Sequence, residues 1–167
     1  MSSFKIISRD KEVGKFMKTK EEINLFLAQA NALIEEKDLI AVLANLSALI
    51  KDFYGDRCSW AGFYLLKEGE LVLGPFQGKV ACTHIQLGKG VCGTAVVTKK
   101  TQCISNVHEF LGHIACDAGS NSEIVVNIMK NGQSVGVLDL DSYQFSAFDE
   151  HDVQILEKLT DLLSHRF

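Results

Sequence analysis

The sequence predicts an α+β fold, in which one antiparallel β-sheet carries its N-terminal and C-terminal helices on one face. Three observations predict it. The start of the chain has apolar residues at helical spacing, the middle alternates with a period of two, and the end returns to helical spacing. Blocks of helices, then strands, then a helix favour this class over a doubly wound βαβ arrangement. A length of 167 residues fits a single domain.

The predicted helices flank the sheet in the sequence. Residues 18–54 contain two successive amphipathic runs, each with an apolar stripe at helical spacing. A third helix, about residues 147–166, is expected to begin near Ser146, because its hydroxyl and Asp149 three residues later resemble a capping box. We expect these helices to bury their apolar stripes against the sheet.

The sheet and its loops are expected in residues 57–142. Four antiparallel strands, at least, are predicted at residues 57–66, 70–76, 123–129 and 133–141. The dipeptides Glu68-Gly69 and Asn131-Gly132 mark the hairpin turns. The intervening segment 78–122 is rich in Gly, His, Asn and Cys, and it is long for a connection between strands. Long connections of this kind tend to carry function.

The second hairpin decides which carboxylates share a face of the sheet. If Asn131-Gly132 were the whole loop, strict alternation would place Asp139 opposite an isoleucine and mix apolar with acidic residues. A three-residue loop, 130–132, instead pairs Glu123 with Asp139 and puts Asp141 on the same face, about 7 Å from Asp139 by strand rise. We therefore predict the three-residue loop and a cluster of three acids.

Three clustered carboxylates repel one another, so either a bound cation relieves the repulsion or one acid stays protonated through a raised pKa. The alternative is an ordinary solvated sheet face. No calcium-type D-x-D-x-D-G loop occurs in the sequence, and we expect no metal.

Two aromatic residues are candidates for an apolar binding surface. Period two places Trp60 and Tyr64 on one face of the first strand, with Gly62 between them. The missing side chain at Gly62 leaves a gap that would admit a small apolar group. The alternative is that both aromatics are ordinary core residues.

The five cysteines include no C-x-x-C pair. The N-terminal residues 1–16 lack an apolar signal region, which indicates the reducing cytosol and argues against structural disulfides. Cys58 and Cys103 adjoin apolar runs and are expected to be buried. Cys82, Cys92 and Cys116 lie instead in the segment between the hairpins, where all three could be reactive.

Cys92 follows a glycine-rich turn at the start of a short apolar helix, and a helix N-terminus lowers a thiol pKa. This argument alone would rank Cys92 as the most acidic thiol. Zinc held by the loop cysteines with His84 and His113 is a further alternative, which the spacings disfavour because only His113-x-x-Cys116 suits a zinc site.

Composition excludes several classes of partner. The chain has 17 Lys and Arg against 21 Asp and Glu, a net charge of −4, so no excess positive charge attracts nucleic acid or an anionic membrane. Apolar residues make up 47% and charged residues 23%, with a mean hydropathy of +0.10, which is typical of a globular protein. Small molecules and proteins remain as partners.

Five phrases are distinctive when taken together: GPFQGKVACTHI, GKGVCGTA, GHIACD, SNSEIVV and GVLDLDS. With them the chain resembles the free methionine-(R)-sulfoxide reductases, which are single GAF-domain enzymes. The resemblance runs from about residue 60 to residue 148 and includes the three loop cysteines. Two places depart from the family pattern. This chain has Asn106-Val107 where the family usually has Asp-Val, and Phe110-Leu111-Gly112 where the family usually has Phe-Pro-Gly.

The resemblance implies a GAF-type domain that reduces free L-methionine-(R)-sulfoxide with thiols. It implies Cys116 as the nucleophile that becomes a sulfenic acid, with Cys92 and Cys82 as candidates for the resolving partner. Thiolate attack on sulfur also needs an acid to protonate the leaving oxygen, and a free amino acid carries an ammonium. The three acids suit both needs, while Trp60 and Tyr64 would enclose the S-methyl end.

The implied partner is thioredoxin or a similar dithiol reductant, and no cofactor is implied. A homodimer is compatible with the sequence. The competing interpretation is a non-catalytic GAF-type sensor of a small ligand or oxidant. Sensor domains are usually joined to an output domain, which we do not expect after residue 167.

Overall fold

The computed structural model describes residues 17–167, and within them it has four α-helices and six β-strands. The helices are α1 (Lys20–Ile34), α2 (Leu39–Tyr54), α3 (Gly90–Thr98) and α4 (Glu150–Leu163). The strands are β1 (Trp60–Lys67), β2 (Glu70–Gln77), β3 (His84–Gln86), β4 (Gln102–Ile104), β5 (Ser122–Lys130) and β6 (Gln133–Ser142). Residues 1–16, on which the expectation of a cytosolic protein depends, lie outside the described part.

The six strands form one sheet in the order β3-β2-β1-β6-β5-β4, and every neighbouring pair is antiparallel. The predicted α+β class is therefore confirmed. Strands β3 and β4 come from the segment between the two hairpins and form the two edges of the sheet. Each has three residues, too few to show a period of two in the sequence.

The two faces of the sheet carry different layers. One face packs against α2 and α4, and α1 packs on these two helices, so that all three share one large apolar core. This confirms the prediction that the N-terminal and C-terminal helices lie on one side of the sheet. Its strand residues include Ile124, Val126, Ile128, Leu138 and Leu140. The opposite face holds a smaller core made with α3 and the loops, and the candidate site lies on this side.

The start of α4 differs from the prediction. Its N-cap is Asp149, whose side chain accepts hydrogen bonds from the backbone of His151 and Asp152, and Asp152 closes the capping box. Ser146 lies outside the helix with φ of +51°, in the left-handed region. The capping box was thus expected three residues too early, because Ser146 and Asp149 are both cap-forming types.

The turn between β5 and β6 has two residues, so the prediction of a three-residue loop is wrong. Asn131 and Gly132 have φ of +50° and +76°, and the residues flanking them pair with each other. Positive φ at both positions is the geometry of the tight hairpin turns that Asn-Gly favours.

The predicted pairing of Glu123 with Asp139 is also wrong. Glu123 pairs with Asp141, and Val125 pairs with Asp139. A β-bulge near Ile128 shifts the register, and its extra residue restores the alternation that a strict two-residue turn would have broken. The three acids consequently share one face of the sheet, although their partners across the strands are not those expected.

No helix within residues 17–167 is long and apolar enough to cross a lipid bilayer.

Candidate active site

A cavity lies between the β1, β5 and β6 face of the sheet, the N-terminal turn of α3 and the loop 113–120. Seven of the eight residues predicted as site residues line it: Trp60, Tyr64, Cys92, Cys116, Glu123, Asp139 and Asp141. The eighth, Cys82, is bonded to one of them. The open volume is about 30 Å³, room for one or two water-sized groups.

The acids form the polar wall of the cavity. Burial raises the pKa of Glu123 well above its ordinary value, and the charge of Asp141 adds to the effect. Burial likewise raises the pKa of Asp139, with further contributions from the charges of Glu123 and Asp141. The pKa of Asp141 rises to about 6 through burial, although a hydrogen bond from Ser120 and the nearby His113 oppose the rise.

One oxygen of the cluster has no hydrogen-bond donor from the surrounding protein. Asp139 Oδ1 is buried, and the Asp139 side chain is hydrogen-bonded only to Glu123 and Cys92, within the cluster itself. His113 Nε2 lies 3.6 Å from Glu123 Oε2, but burial lowers the His113 pKa and so favours the neutral ring. Among the described residues that line the cavity, none is a lysine or arginine. The cluster therefore attracts an external cation.

The two aromatic residues connect the cavity to the Cys82 loop. The rings of Trp60 and Tyr64 stack with centroids 6.0 Å apart. Trp60 Nε1 donates to the carbonyl of Lys79 over 3.1 Å, and the Tyr64 hydroxyl donates to the carbonyl of Cys82 over 2.9 Å. Both side chains therefore position the segment that carries this cysteine.

The gap expected at Gly62 does not exist. A Cβ at position 62 would come closer than 3.0 Å to Phe76 and to the ring of Trp60. The Phe76 and Trp60 rings stack with centroids 5.2 Å apart and fill the space. Gly62 thus permits close packing of these two residues and leaves no opening for a ligand.

A disulfide joins Cys82 and Cys116, with 5.5 Å between their Cα atoms. Cys116 is exposed and Cys82 is half-buried, so the bond is accessible to an external thiol. This bond was not predicted from residue spacing, since 34 residues separate the two cysteines.

The other cysteines depart from expectation in two places. Burial raises the pKa of Cys92 well above its ordinary value, and the neighbouring Asp139 and Glu123 raise it further, so the expected acidic thiol at this helix N-terminus is wrong. Cys103 lies exposed on the edge strand β4 instead of in the core. Cys58 is buried as expected, and burial raises its pKa to about 12.

A polar clamp, formed by Lys79, Asp117 and Tyr143, joins the two cysteine loops. The Tyr143 hydroxyl donates to Asp117 Oδ2 over 2.7 Å, and Lys79 Nζ lies 3.5 Å from the same oxygen. Lys79 Nζ also lies 5.1 Å from the centre of the Tyr143 ring. Lys79 comes three residues before Cys82, and Asp117 directly follows Cys116. No signal in the sequence indicated this contact.

The alternative zinc set does not assemble. Cys82 and Cys116 are bonded to each other, and His84 pairs with Glu70 over 2.8 Å at the protein surface. His113 lies beside Glu123 inside the cavity. The histidines and cysteines of that hypothesis thus have separate partners.

The fold and the site define a small α+β domain with an accessible disulfide beside a buried acidic cavity. A family model described as "GAF domain" matches residues 36–165. The free methionine-R-sulfoxide reductase of Escherichia coli is 54% identical over 77% of this chain and 78% of its own length. The enzyme of that name in Saccharomyces cerevisiae is 46% identical over 87% of this chain and 86% of its own.

A solved structure of free methionine-R-sulfoxide reductase from Neisseria meningitidis in complex with its substrate is also similar. It superposes with a TM-score of 0.85 at 40% identity, over 91% of this chain and 93% of the other. The chain belongs to the free methionine-R-sulfoxide reductase family of GAF-domain proteins.

Proposed function

We propose that this protein reduces free L-methionine-(R)-sulfoxide to L-methionine, with Cys116 as the nucleophile. The observation that carries the proposal is the Cys82–Cys116 disulfide at a cavity whose wall holds three acids. Two cysteines that can form a disulfide supply the electrons for the reduction of a sulfoxide. The acids beside them can bind the ammonium group of a free amino acid. The relatives from E. coli and S. cerevisiae carry the name of this activity.

The chemistry balances with two thiols. The Cys116 thiolate attacks the sulfoxide sulfur while an acid of the cluster protonates the oxygen, which gives an adduct with a bond between the two sulfurs. The hydroxyl then passes to the cysteine sulfur as the sulfur–sulfur and sulfur–oxygen bonds of the adduct break, so that methionine is released and Cys116 is left as a sulfenic acid. The thiol of Cys82 then displaces that oxygen as water and forms the disulfide. An external dithiol returns both cysteines to thiols and is itself oxidised.

In this proposal, Glu123, Asp139 and Asp141 bind the ammonium group of the substrate. Three neighbouring carboxyl groups with raised pKa values can hold one ammonium in ionised form and keep one proton for the oxygen. Asp139 Oδ1, which has no donor from outside the cluster, can accept a hydrogen bond from an N–H group of the substrate. A methionine sulfoxide within a peptide has an amide at this position and lacks the charge.

Cys82 is the resolving cysteine in this proposal, since it is bonded to Cys116, whereas Cys92 is buried beside Asp139. Trp60 and Tyr64 face the S-methyl end. The open volume of about 30 Å³ is too small for an amino acid, so we assign substrate binding to the reduced form, in which no covalent bond ties Cys116 to the Cys82 segment.

The reductant is thioredoxin or a similar dithiol protein, which the reducing cytosol supplies. The exposure of Cys116 supports this proposal, because thiol exchange needs access to a disulfide sulfur. The proposed residues line one cavity of one chain or, in the case of Cys82, are bonded to a residue that does, so a homodimer is not required for the chemistry.

Single-turnover measurements on cysteine variants test the proposal. Fully reduced protein is mixed with free methionine-(R)-sulfoxide in the absence of reductant, and methionine is counted per chain. Wild type and Cys82→Ser should each yield about one methionine per chain, since the first step needs only the nucleophile. Cys116→Ser should yield none.

Cys103→Ser is the matched control, because this thiol is free and exposed and does not line the cavity, and it should behave like wild type. A burst from Cys116→Ser with none from Cys92→Ser would reverse the assigned roles. Substrate binding by wild type without any turnover would contradict the enzyme and favour a sensor.

A further inference from the structure

Three donor atoms from separate elements meet at the bottom of the cavity. Cys92 Sγ on α3, a carboxylate oxygen of Glu123 on β5 and a carboxylate oxygen of Asp139 on β6 all lie within 4.8 Å of one another. All three side chains are buried. Helix and strand backbone hold them, so the cluster does not depend on a loop.

A second observation indicates that this cluster lacks a ligand. Asp139 is 5% exposed, and its Oδ1 atom receives no hydrogen bond from outside the cluster, within which the Asp139 side chain is hydrogen-bonded to Glu123 and Cys92. The three groups therefore satisfy one another only through shared protons, and a cation can take the place of those protons. Asp141, which pairs with Glu123, adds a further acid, and no lysine or arginine among the described residues lines the cavity.

The donor set selects the kind of cation. One thiolate sulfur with two carboxylate oxygens suits zinc, which takes both ligand types in tetrahedral sites, whereas Mg²⁺ and Ca²⁺ prefer oxygen alone. The open volume of about 30 Å³ has room for an ion with one water-sized fourth ligand. A cation therefore fits this form of the protein, in which an amino acid does not.

We propose that Cys92, Glu123 and Asp139 form a binding site for one Zn²⁺ ion, with a water or hydroxide in the fourth position. Binding forms one Zn–S and two Zn–O bonds, and any protons on the thiol and the two carboxyls are released to solvent without a redox change. The ion occupies the floor of the cavity. In the reduced form, a Zn²⁺ ion at the same three ligands inhibits turnover by occupying the acids that would bind the substrate, a consequence that rests on the proposed function.

Direct binding to the disulfide form tests the site independently of activity. With Cys82 and Cys116 bonded to each other, their sulfurs are not free thiols, and titration calorimetry with zinc chloride should give one ion per chain. Cys92→Ser should weaken the affinity at least tenfold, since a hydroxyl replaces the thiolate ligand. Cys103→Ser, which removes the exposed free thiol, should leave it unchanged.

Cobalt supplies a spectroscopic signature for the same position. Co²⁺ added to the disulfide form should give a sulfur-to-metal charge-transfer band in wild type and Cys103→Ser, and the band should be absent in Cys92→Ser. If Cys92→Ser fails to fold, Asp139→Asn replaces it, and this variant should weaken zinc binding while it keeps the cobalt–sulfur band.

Three results would overturn the inference: no stoichiometric zinc binding, binding lost in Cys103→Ser but kept in Cys92→Ser, or cobalt bound without a thiolate band. The single-turnover assay of methionine sulfoxide reduction distinguishes a failure of the zinc site from a failure of the proposed function. If zinc binds as described but the protein turns over no methionine sulfoxide, the proposed function fails and the metal site stands.

Discussion

Asp139 interacts with each of the other ionisable groups of the cluster, which are Glu123, Asp141 and Cys92. It pairs across the strands with Val125, and its side chain is hydrogen-bonded to Cys92 and Glu123 with no donor from outside the cluster. Burial raises its pKa, so the acid form is favoured in the folded protein. Its energetic effect therefore depends on pH.

Asp139→Asn should remove a pH-dependent loss of stability. The pKa of this group is higher in the folded than in the unfolded chain, so between the two values the folded state holds a proton that the unfolded state has released. Raising the pH then favours unfolding in wild type, and an asparagine cannot ionise. The difference in Tm, variant minus wild type, should increase from about pH 5 to about pH 8.

Thermal unfolding of the two proteins across this range measures the difference, in which titrating groups outside the cluster cancel, whereas Glu123, Asp141 and Cys92 respond to the loss of the Asp139 charge. A difference that stays constant with pH would contradict the raised pKa. If the variant melts much lower at every pH and its folded fraction reduces methionine sulfoxide normally, the role of Asp139 is structural.

The sequence was informative about individual residues where a period of two applied. It placed Glu123, Asp139 and Asp141 on one face, because alternation along a strand decides the face. It did not give their partners, since the β-bulge near Ile128 has no marker in the residue types. The exposure of Cys103 was missed because an edge strand of three residues resembles a buried one.

At the scale of elements, α3 is held against the sheet edge by glycine. A Cβ at Gly93 would come closer than 3.0 Å to the carbonyl oxygen of Gln86, the last residue of β3. The Gly93 carbonyl also accepts from the backbone of Gly88 over 3.0 Å. This close approach sets the depth of α3, and thereby the position of Cys92 within the cavity.

Gly93→Ala should lower the free energy of unfolding by about 1–3 kcal/mol, because the backbone carbonyl of Gln86 cannot move aside as a flexible side chain can. Gly132→Ala is the control, since it meets no atom within 4 Å but has φ of +76°, and it should cost about 1–2 kcal/mol through backbone strain alone. Chemical denaturation measures both.

The activities of these two variants should differ. Gly93→Ala should also reduce turnover in its folded fraction, because α3 carries Cys92, whereas the folded fraction of Gly132→Ala should retain wild-type turnover. Full activity of folded Gly93→Ala would show that the depth of α3 does not matter to the site.

Elements were predictable in proportion to their length. The three long helices and four long strands have clear periodicity, whereas β3 and β4 were absent from the prediction. The start of α4 was misplaced because two cap-forming residues, Ser146 and Asp149, lie three positions apart. The clamp of Lys79, Asp117 and Tyr143 joins distant loops, and a tertiary contact of this kind has no local signal.

At the scale of the whole molecule, one face of the sheet carries the main apolar core and the other face carries the candidate active site. Its helix-covered face holds the large apolar core, and the opposite face holds the smaller core, the acid cluster and the disulfide. Ionisable groups on the second face can thus be arranged for function while the first face maintains the fold.

The central claim is that a buried acid cluster selects a free amino acid by its ammonium. The most direct measurement compares kcat/KM for free and N-acetylated L-methionine-(R)-sulfoxide, with a small dithiol as reductant. Loss of a buried charged contact costs several kcal/mol, so the acetylated compound should be reduced on the order of 100-fold less efficiently. Comparable values for the two compounds would contradict the account.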